Sequence, residues 1–342
     1  MAGKIYIEQL KEGDSFTEVF AIKALRQGET KAGKPYLLLT LMDKTGEISC
    51  PVWNNALQLA EICVVGGFVR CSGQVASFRG QKQLQPDRLE AVAADDVSMA
   101  DFLPETAGDR QAMARKLLKF VASVDDPWLE KLLDHFFGEG EIWQQFQRAA
   151  AAKLAHHACI GGLLEHTLSL VSVADSLACH YPGVNRDLLV AGALLHDIGK
   201  LEEMRFQGSV VEYTTPGRLK GHLVIGSEMV AAAALSIKGF PRDLLEQLQH
   251  LILSHHGRLD YGSPVLPMTV EAFLLSMLDD LDAKMNMIEQ LRKKMAAGQY
   301  SFTEYQRLLE RYLYLSGYPD KEKQKSEDAP AARRNQPCLW DS

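Results

Sequence analysis

Five of the ten histidines, His166, His196, His222, His255 and His256, stand with Asp197 and Asp279 in segments that are otherwise apolar. His196 and Asp197 close LLVAGALLHD, for which Gly199 is the expected C-cap. His222 follows Gly221 at the start of the next helical stretch, His255 and His256 end LQHLILSHH before Gly257, and Asp279 lies inside FLLSMLDDLDAKM. An ionisable pair at the end of so apolar a helix is costly unless something compensates it. Imidazole and carboxylate groups brought from several helices suit Mn, Fe, Co or Zn, and such an ion with open positions can activate water. The bland alternative is a set of unrelated surface or hydrogen-bonded histidines, and His135, His180 and His250 are read that way. Glu165, Asp175, Glu202 and Glu203 read as solvated helix charges.

These residues need a helical scaffold, and from about residue 96 the sequence has helical periodicity. Helices are predicted over 109–123, 127–137, 141–154, 161–180, 186–197, 221–236, 241–255, 269–292 and 302–315. An excursion is predicted over 205–220, with a strand at most over 210–215. The earlier part of the chain has short alternating segments broken by turns. SFTEVFAIKAL, PYLLLTLMD, EISCPVWN, GFVRCSGQVASF and QKQLQPDRLEAV are five strand candidates, with tight turns at 43–46 and at Arg79-Gly80. A helix over 54–64 between the third and fourth strands completes the OB-fold order. The expected organisation is multi-domain: an all-β OB-fold barrel over 1–95, an all-α helical bundle over 96–318, and a polar, disordered tail over 319–342.

At GGLLEH, NRDLLVAGALLHDIGK, GHLVIGSEM, LSHHG and LDAKMNM the sequence resembles the HD phosphohydrolases, and more closely the YhaM-type 3′-to-5′ exoribonucleases, which carry an OB-fold before the HD domain. The resemblance covers roughly residues 15 to 315. It implies one or two divalent transition-metal ions, Mn ahead of Fe, Co or Zn. His166, His196, Asp197 and Asp279 would hold one ion, and His222 and His255 a second, with Asp197 bridging. His256 either replaces His255 or supports it. Asp279 is preferred to Asp280 and Asp282 on the resemblance alone. Lys200, three residues after Asp197, would join it in catalysis by steadying a phosphate oxygen, and His157 would contact substrate. The implied activity is hydrolysis from the 3′ end to nucleoside 5′-monophosphates.

Single-stranded nucleic acid is commonly held by aromatic platforms in a basic groove. With Leu37, Leu39 and Leu41 on one face of the second strand, Tyr36 falls on the other. Trp53 likewise falls opposite Ile48, Cys50 and Val52. Phe78 and Arg79 stand at a hairpin, and Lys31 and Lys34 lie in the first loop beside Arg26. The competing reading is that Trp53 and Phe78 plug the barrel ends and the lysines are merely solvated.

A formal net charge of −7 does not look like that of a nucleic-acid binder, but residues 1–95 hold 11 basic and 11 acidic residues, so the deficit lies entirely in the remainder. A hydrophobic content of 46% with 24% charged residues fits a folded globular chain. No apolar run approaches the roughly 18 residues of a membrane span, so a cytoplasmic protein with no membrane partner is expected. The six cysteines form no CxxC pair and read as reduced thiols. Single-stranded RNA or DNA is the expected partner, and a homo-oligomer is compatible with the sequence. The rivals are an HD nucleotidase or cyclic-dinucleotide phosphodiesterase, for which the barrel has no use, and a strand-binding protein with an inert HD domain.

Overall fold

The computed structural model describes residues 4–30, 32–103, 105–106, 108–152, 159–293 and 295–318. Lys31, His157 and the tail from Pro319 lie outside them.

Strands β1 (Ser15–Glu29), β2 (Pro35–Asp43), β3 (Gly46–Val52), β4 (Phe68–Phe78) and β5 (Gln81–Val92) close a barrel in the order β1-β2-β3-β5-β4, with helix α1 (Ala56–Ile62) between β3 and β4. Period-2 alternation sends Leu37, Leu39 and Leu41 of β2 and Ile48, Cys50 and Val52 of β3 into one core with Phe20, Val69 and Leu84. Arg79 and Gly80 both take positive φ, +52° and +78°, as a two-residue type I′ hairpin requires. Beyond β5 the chain still packs on the barrel: Phe102 is buried against Phe68 at 4.8 Å between ring centroids, with Val97 and Met99 alongside.

The remainder is mostly helical: α2 (Arg110–Val121), α3 (Pro127–Phe137), α4 (Glu141–Phe146), α5 (Gly162–His180), α6 (Arg186–Leu195), α7 (Lys200–Glu203), α8 (Thr215–Ser236), α9 (Arg242–Ser254) and α10 (Val270–Lys293). Side chains of Asp109, Asp126, Asn185 and Thr214 cap the first turns of α2, α3, α6 and α8. Every residue of α6 from Leu188 to Leu195 is buried, so this helix is apolar all round and is surrounded by other elements. Packing divides the chain within α10, into a compact unit ending at Asp279 and another starting at Asp280.

Two hairpins qualify the all-α expectation. Strands β6 (Met204–Gln207) and β7 (Val210–Tyr213) pair within the predicted excursion. At their tip the Ser209 backbone N–H donates to Gly66 O of the barrel at 3.2 Å, and a Cβ on Gly208 would lie 2.0 Å from that same oxygen. The predicted helix over 302–315 is not formed; β8 (Ser301–Phe302) pairs there with β9 (Tyr314–Leu315). Tyr300 and Phe302 both stack on Tyr314 across this hairpin, and of that stretch only Leu309 is buried, too little apolar surface to hold a short helix. The helix predicted over 141–154 stops at Phe146 because the carbonyls of Arg148 and Ala149 turn to accept the N–H groups of Gly161 and Leu163.

Candidate metal centre and nucleic-acid surface

The C-terminal end of α6 sets the site. His196 is its cap residue and Asp197 the next, and both are buried, at 0% and 2% exposure. Gly199 is not the left-handed C-cap expected: it has φ −63° and precedes α7. Its role is close approach, since a Cβ there would sit 2.1 Å from His222 O and 2.5 Å from Gly226 N. That contact draws α8 against the His196-Asp197 turn. Within α8 the helix breaks at Gly221 (φ +73°), a conformation that suits glycine and delivers His222 inward.

Two groups of ligand-type atoms result, His166 with His196 and Asp197, and His222 with His255 and His256. Asp197 lies between them. Its Oδ2 is 3.3 Å from His196 Nε2 and 3.6 Å from His166 Nε2, while its Oδ1 is 3.4 Å from His222 Nε2 and 3.7 Å from His255 Nε2. Asp279 joins the first group, with Oδ1 at 3.3 Å from His166 Nε2. His256 Nε2 lies 3.3 Å from His222 Nε2. The structure therefore brings together all seven residues named from sequence, with His255 and His256 both facing the second group.

Hydrogen bonds fix which nitrogens carry protons. Nδ1 of His196 faces Ala193 O, that of His255 faces Ile252 O and that of His256 faces Tyr261 O, each at 2.8 Å. A carbonyl oxygen only accepts, so each Nδ1 donates and Nε2 is the nitrogen turned inward, where its lone pair can face a cation. His222 Nδ1 donates in the same way to Glu203 Oε1 at 3.0 Å, and its backbone N–H donates to that oxygen at 2.9 Å. Lone pairs then converge on one another, as at His222 and His256, and buried Asp197 Oδ1 has no hydrogen-bond partner. Inward lone pairs beside an orphaned carboxylate oxygen fit a cation and suit no proton-shared arrangement. The donor set therefore fits divalent metal.

Burial pushes His255 well below the usual histidine value and lowers His256, keeping both rings neutral. Burial alone would raise the carboxyl of Asp197, but the Lys200 ammonium beside it outweighs this and holds it well below the carboxylate range. In Asp279 burial likewise acts to raise the carboxyl, and the hydrogen bond with His166 overcomes it and lowers the value. Lys200 Nζ is 2.5 Å from Asp197 Oδ2.

Glu203 was expected to be a solvated charge and is not; it is buried at 7% exposure and orients His222. Its partner lies 19 residues on, a separation with no local sequence signal. Asp175, also read as solvated, pairs with Arg186 at 2.7 Å. His250, set aside, accepts the Met268 N–H.

On the barrel, Trp53 and Phe78 are exposed at 53% and 59%, so neither plugs an end. The Tyr36 ring lies over Gly28, its register partner, and stands 5.3 Å from the Trp53 ring. Lys34 Nζ donates to Asn54 Oδ1 at 3.1 Å, and the Arg79 guanidinium lies 5.3 Å from the Phe78 ring centroid.

A family model described as an HD domain matches residues 163–284, and one described as an OB-fold nucleic acid binding domain matches residues 18–92. A domain of replication protein A from Methanococcus maripaludis is 24% identical over 26% of this chain and 96% of that one, with a TM-score of 0.23. No described helix is long and apolar enough to cross a membrane. The 3′-5′ exoribonuclease YhaM of Oceanobacillus iheyensis is 32% identical, over 84% of this chain and 90% of its own. That of Geobacillus sp. (strain WCH70) is 35% identical over 292 residues, 84% of this chain and 88% of its own. With both domains matched in order and nearly the whole relative spanned, the chain belongs to the YhaM family of 3′-5′ exoribonucleases.

Proposed function

We propose that the chain is a metal-dependent 3′-to-5′ exonuclease of single-stranded RNA that releases nucleoside 5′-monophosphates. The observation that carries this reading is the division of Asp197: one oxygen faces each group of inward-turned imidazoles in a helical domain that follows an OB barrel. His166, His196, Asp197 and Asp279 would hold one divalent ion, and His222, His255 and His256, with Asp197 between, a second. Mn is the first candidate, with Fe, Co or Zn as the others. Such an ion, when bound, lowers the pKa of water and neutralises charge on a phosphate.

The residues supply the rest. Asp197 and Asp279 stay ionised and supply negative charge without a proton to lose. Glu203 fixes the ring of His222 and its tautomer. The near-complete burial of His196, Asp197 and His255 keeps bulk water from competing for their lone pairs. Lys200, the cation at Asp197, stabilises charge on a phosphate oxygen in the transition state. Water adds to phosphorus, the P–O3′ bond breaks, and the 3′-oxygen leaves with a proton. Tyr36, Trp53, Phe78, Arg79 and Lys34 hold the strand on the barrel. His157 and Lys31, outside the described residues, are assigned to substrate on sequence alone.

The test is incubation of metal-loaded protein with end-labelled single-stranded RNA, single-stranded DNA and free nucleotides. RNA with a free 3′ end is expected to shorten, whereas a 3′ block protects it and a 5′ block does not. Cleavage of a circular strand overturns the exonuclease reading, and turnover of free nucleotides alone replaces it with a small-molecule phosphohydrolase.

A further inference from the structure

A cavity of about 500 Å³ opens beside the metal centre, between α4 with the residues after it and the α7–β6 segment. That volume lies within the range of small-ligand sites, roughly 300–1,000 Å³. Among the described residues, Arg148, Lys200 and Arg205 line it against a single acid, Glu141, whose carboxylate already accepts from Gln145 Nε2 at 3.1 Å. In a chain with a net charge of −7 this is a local reversal of sign. Neither arginine has an ion-pair partner among the described residues. The remaining wall is apolar and includes Phe206, packed on buried Ala150, Met204 and Val211. One cavity thus offers two arginines with no ion-pair partner among the described residues and a braced aromatic ring, and Lys200 joins it to Asp197.

We propose that this cavity receives the 3′-terminal nucleotide, its phosphate at Lys200 and Arg148 and its base against Phe206. The proposal rests on the exoribonuclease reading and adds to it a place for the departing end. When the P–O3′ bond breaks, the phosphate stays on the terminal nucleoside, so the departing base lies on the side of the phosphate away from the strand. The cavity suits that piece: cationic at Lys200, where it meets the metal centre, and apolar beyond at Phe206.

The experiment is calorimetric titration of the metal-loaded full chain with adenosine 5′-monophosphate and with ribose 5-phosphate. Base stacking predicts about tenfold tighter binding of the first. Phe206→Leu is expected to remove that difference and Phe206→Tyr to keep it, while Arg148→Ala, at an exposed side chain, weakens both ligands alike. Equal affinity of the two ligands for the unaltered chain, or a difference that survives Phe206→Leu, overturns the proposal. RNA shortening on the same preparations separates the two readings. A chain that shortens RNA but shows no base-dependent difference loses the pocket and keeps the exoribonuclease reading; one that shows the Phe206-dependent difference but leaves RNA intact keeps a nucleotide pocket and loses that reading.

Discussion

Trp53 and Phe78 stand more than half exposed on the barrel, whereas His196, Asp197 and His255 are all but sealed in the helical region. An exposed ring can be removed with little effect on its neighbours, and what it contributes is a contact with something outside. A sealed carboxylate flanked by four imidazoles has no such independence, because each lone pair or proton left over costs free energy until a cation or a neighbour answers it. Apart from Tyr36 and Trp53, whose rings touch, the barrel candidates should therefore act nearly additively, and the helical cluster as a unit.

The largest effect expected is at the centre of that unit. Asp197→Asn should lower RNA turnover at least about 100-fold and reduce metal content in elemental analysis, with the far-ultraviolet spectrum retained. Turnover comparable to the unaltered chain would break the contrast between the two regions. Glu203→Gln should weaken metal affinity by about 10- to 100-fold, measured by competition with a chelator, because the oriented ring of His222 loses its acceptor charge. If it behaves as a surface substitution, the cluster is less interdependent than its geometry implies.

On the barrel, Trp53→Ala or Tyr36→Ala should each weaken strand binding about tenfold in fluorescence titrations. Metal content should stay the same in both variants. A smaller, graded effect belongs to pH. His255 and His256 have depressed values in the folded chain, so the unfolded chain binds protons first, and the stability these rings contribute is present above their ordinary value of 6.5 and is lost as pH falls below it. Asp197 and Asp279 act in the same direction below their ordinary 3.8. Chelated protein should thus show a falling urea midpoint on acidification through pH 6.5; a flat midpoint would mean that the rings are not buried neutral. The least effect expected is from Lys34→Ala, which should flatten the salt dependence of strand binding by about 0.7 in log–log slope.

Much of this was legible in the residues themselves. The barrel strands announce themselves by alternation on β2 and β3, and the cluster by histidines and acids stranded in apolar helices such as α6. Glu203 and the cavity were not legible, because each depends on segments far apart in sequence, α7 with α8 in the first case and α4 with β6 in the second, and of the β6–β7 hairpin only the second strand could be read. The stretch 302–315 misled because its charged and apolar residues alternate as a helix would, while its aromatics gain more by pairing across a hairpin. Gly199 itself looked like a helix terminator; only the backbone of His222 against it reveals a spacing constraint.

The tip of the β6–β7 hairpin bears on any attempt to dissect the protein. Ser209 is only 2% exposed, and its N–H is answered by Gly66 of the barrel. Cutting the chain between barrel and helices would uncover that residue and forfeit a hydrogen bond worth about 1 kcal/mol, at the end of the same hairpin that carries Arg205 and Phe206. A truncated catalytic fragment is for that reason a poor control for the loss of strand binding alone: it also unmoors a wall of the cavity. Point substitutions at Tyr36 and Trp53, which leave this seam closed, are the cleaner way to separate grip from chemistry.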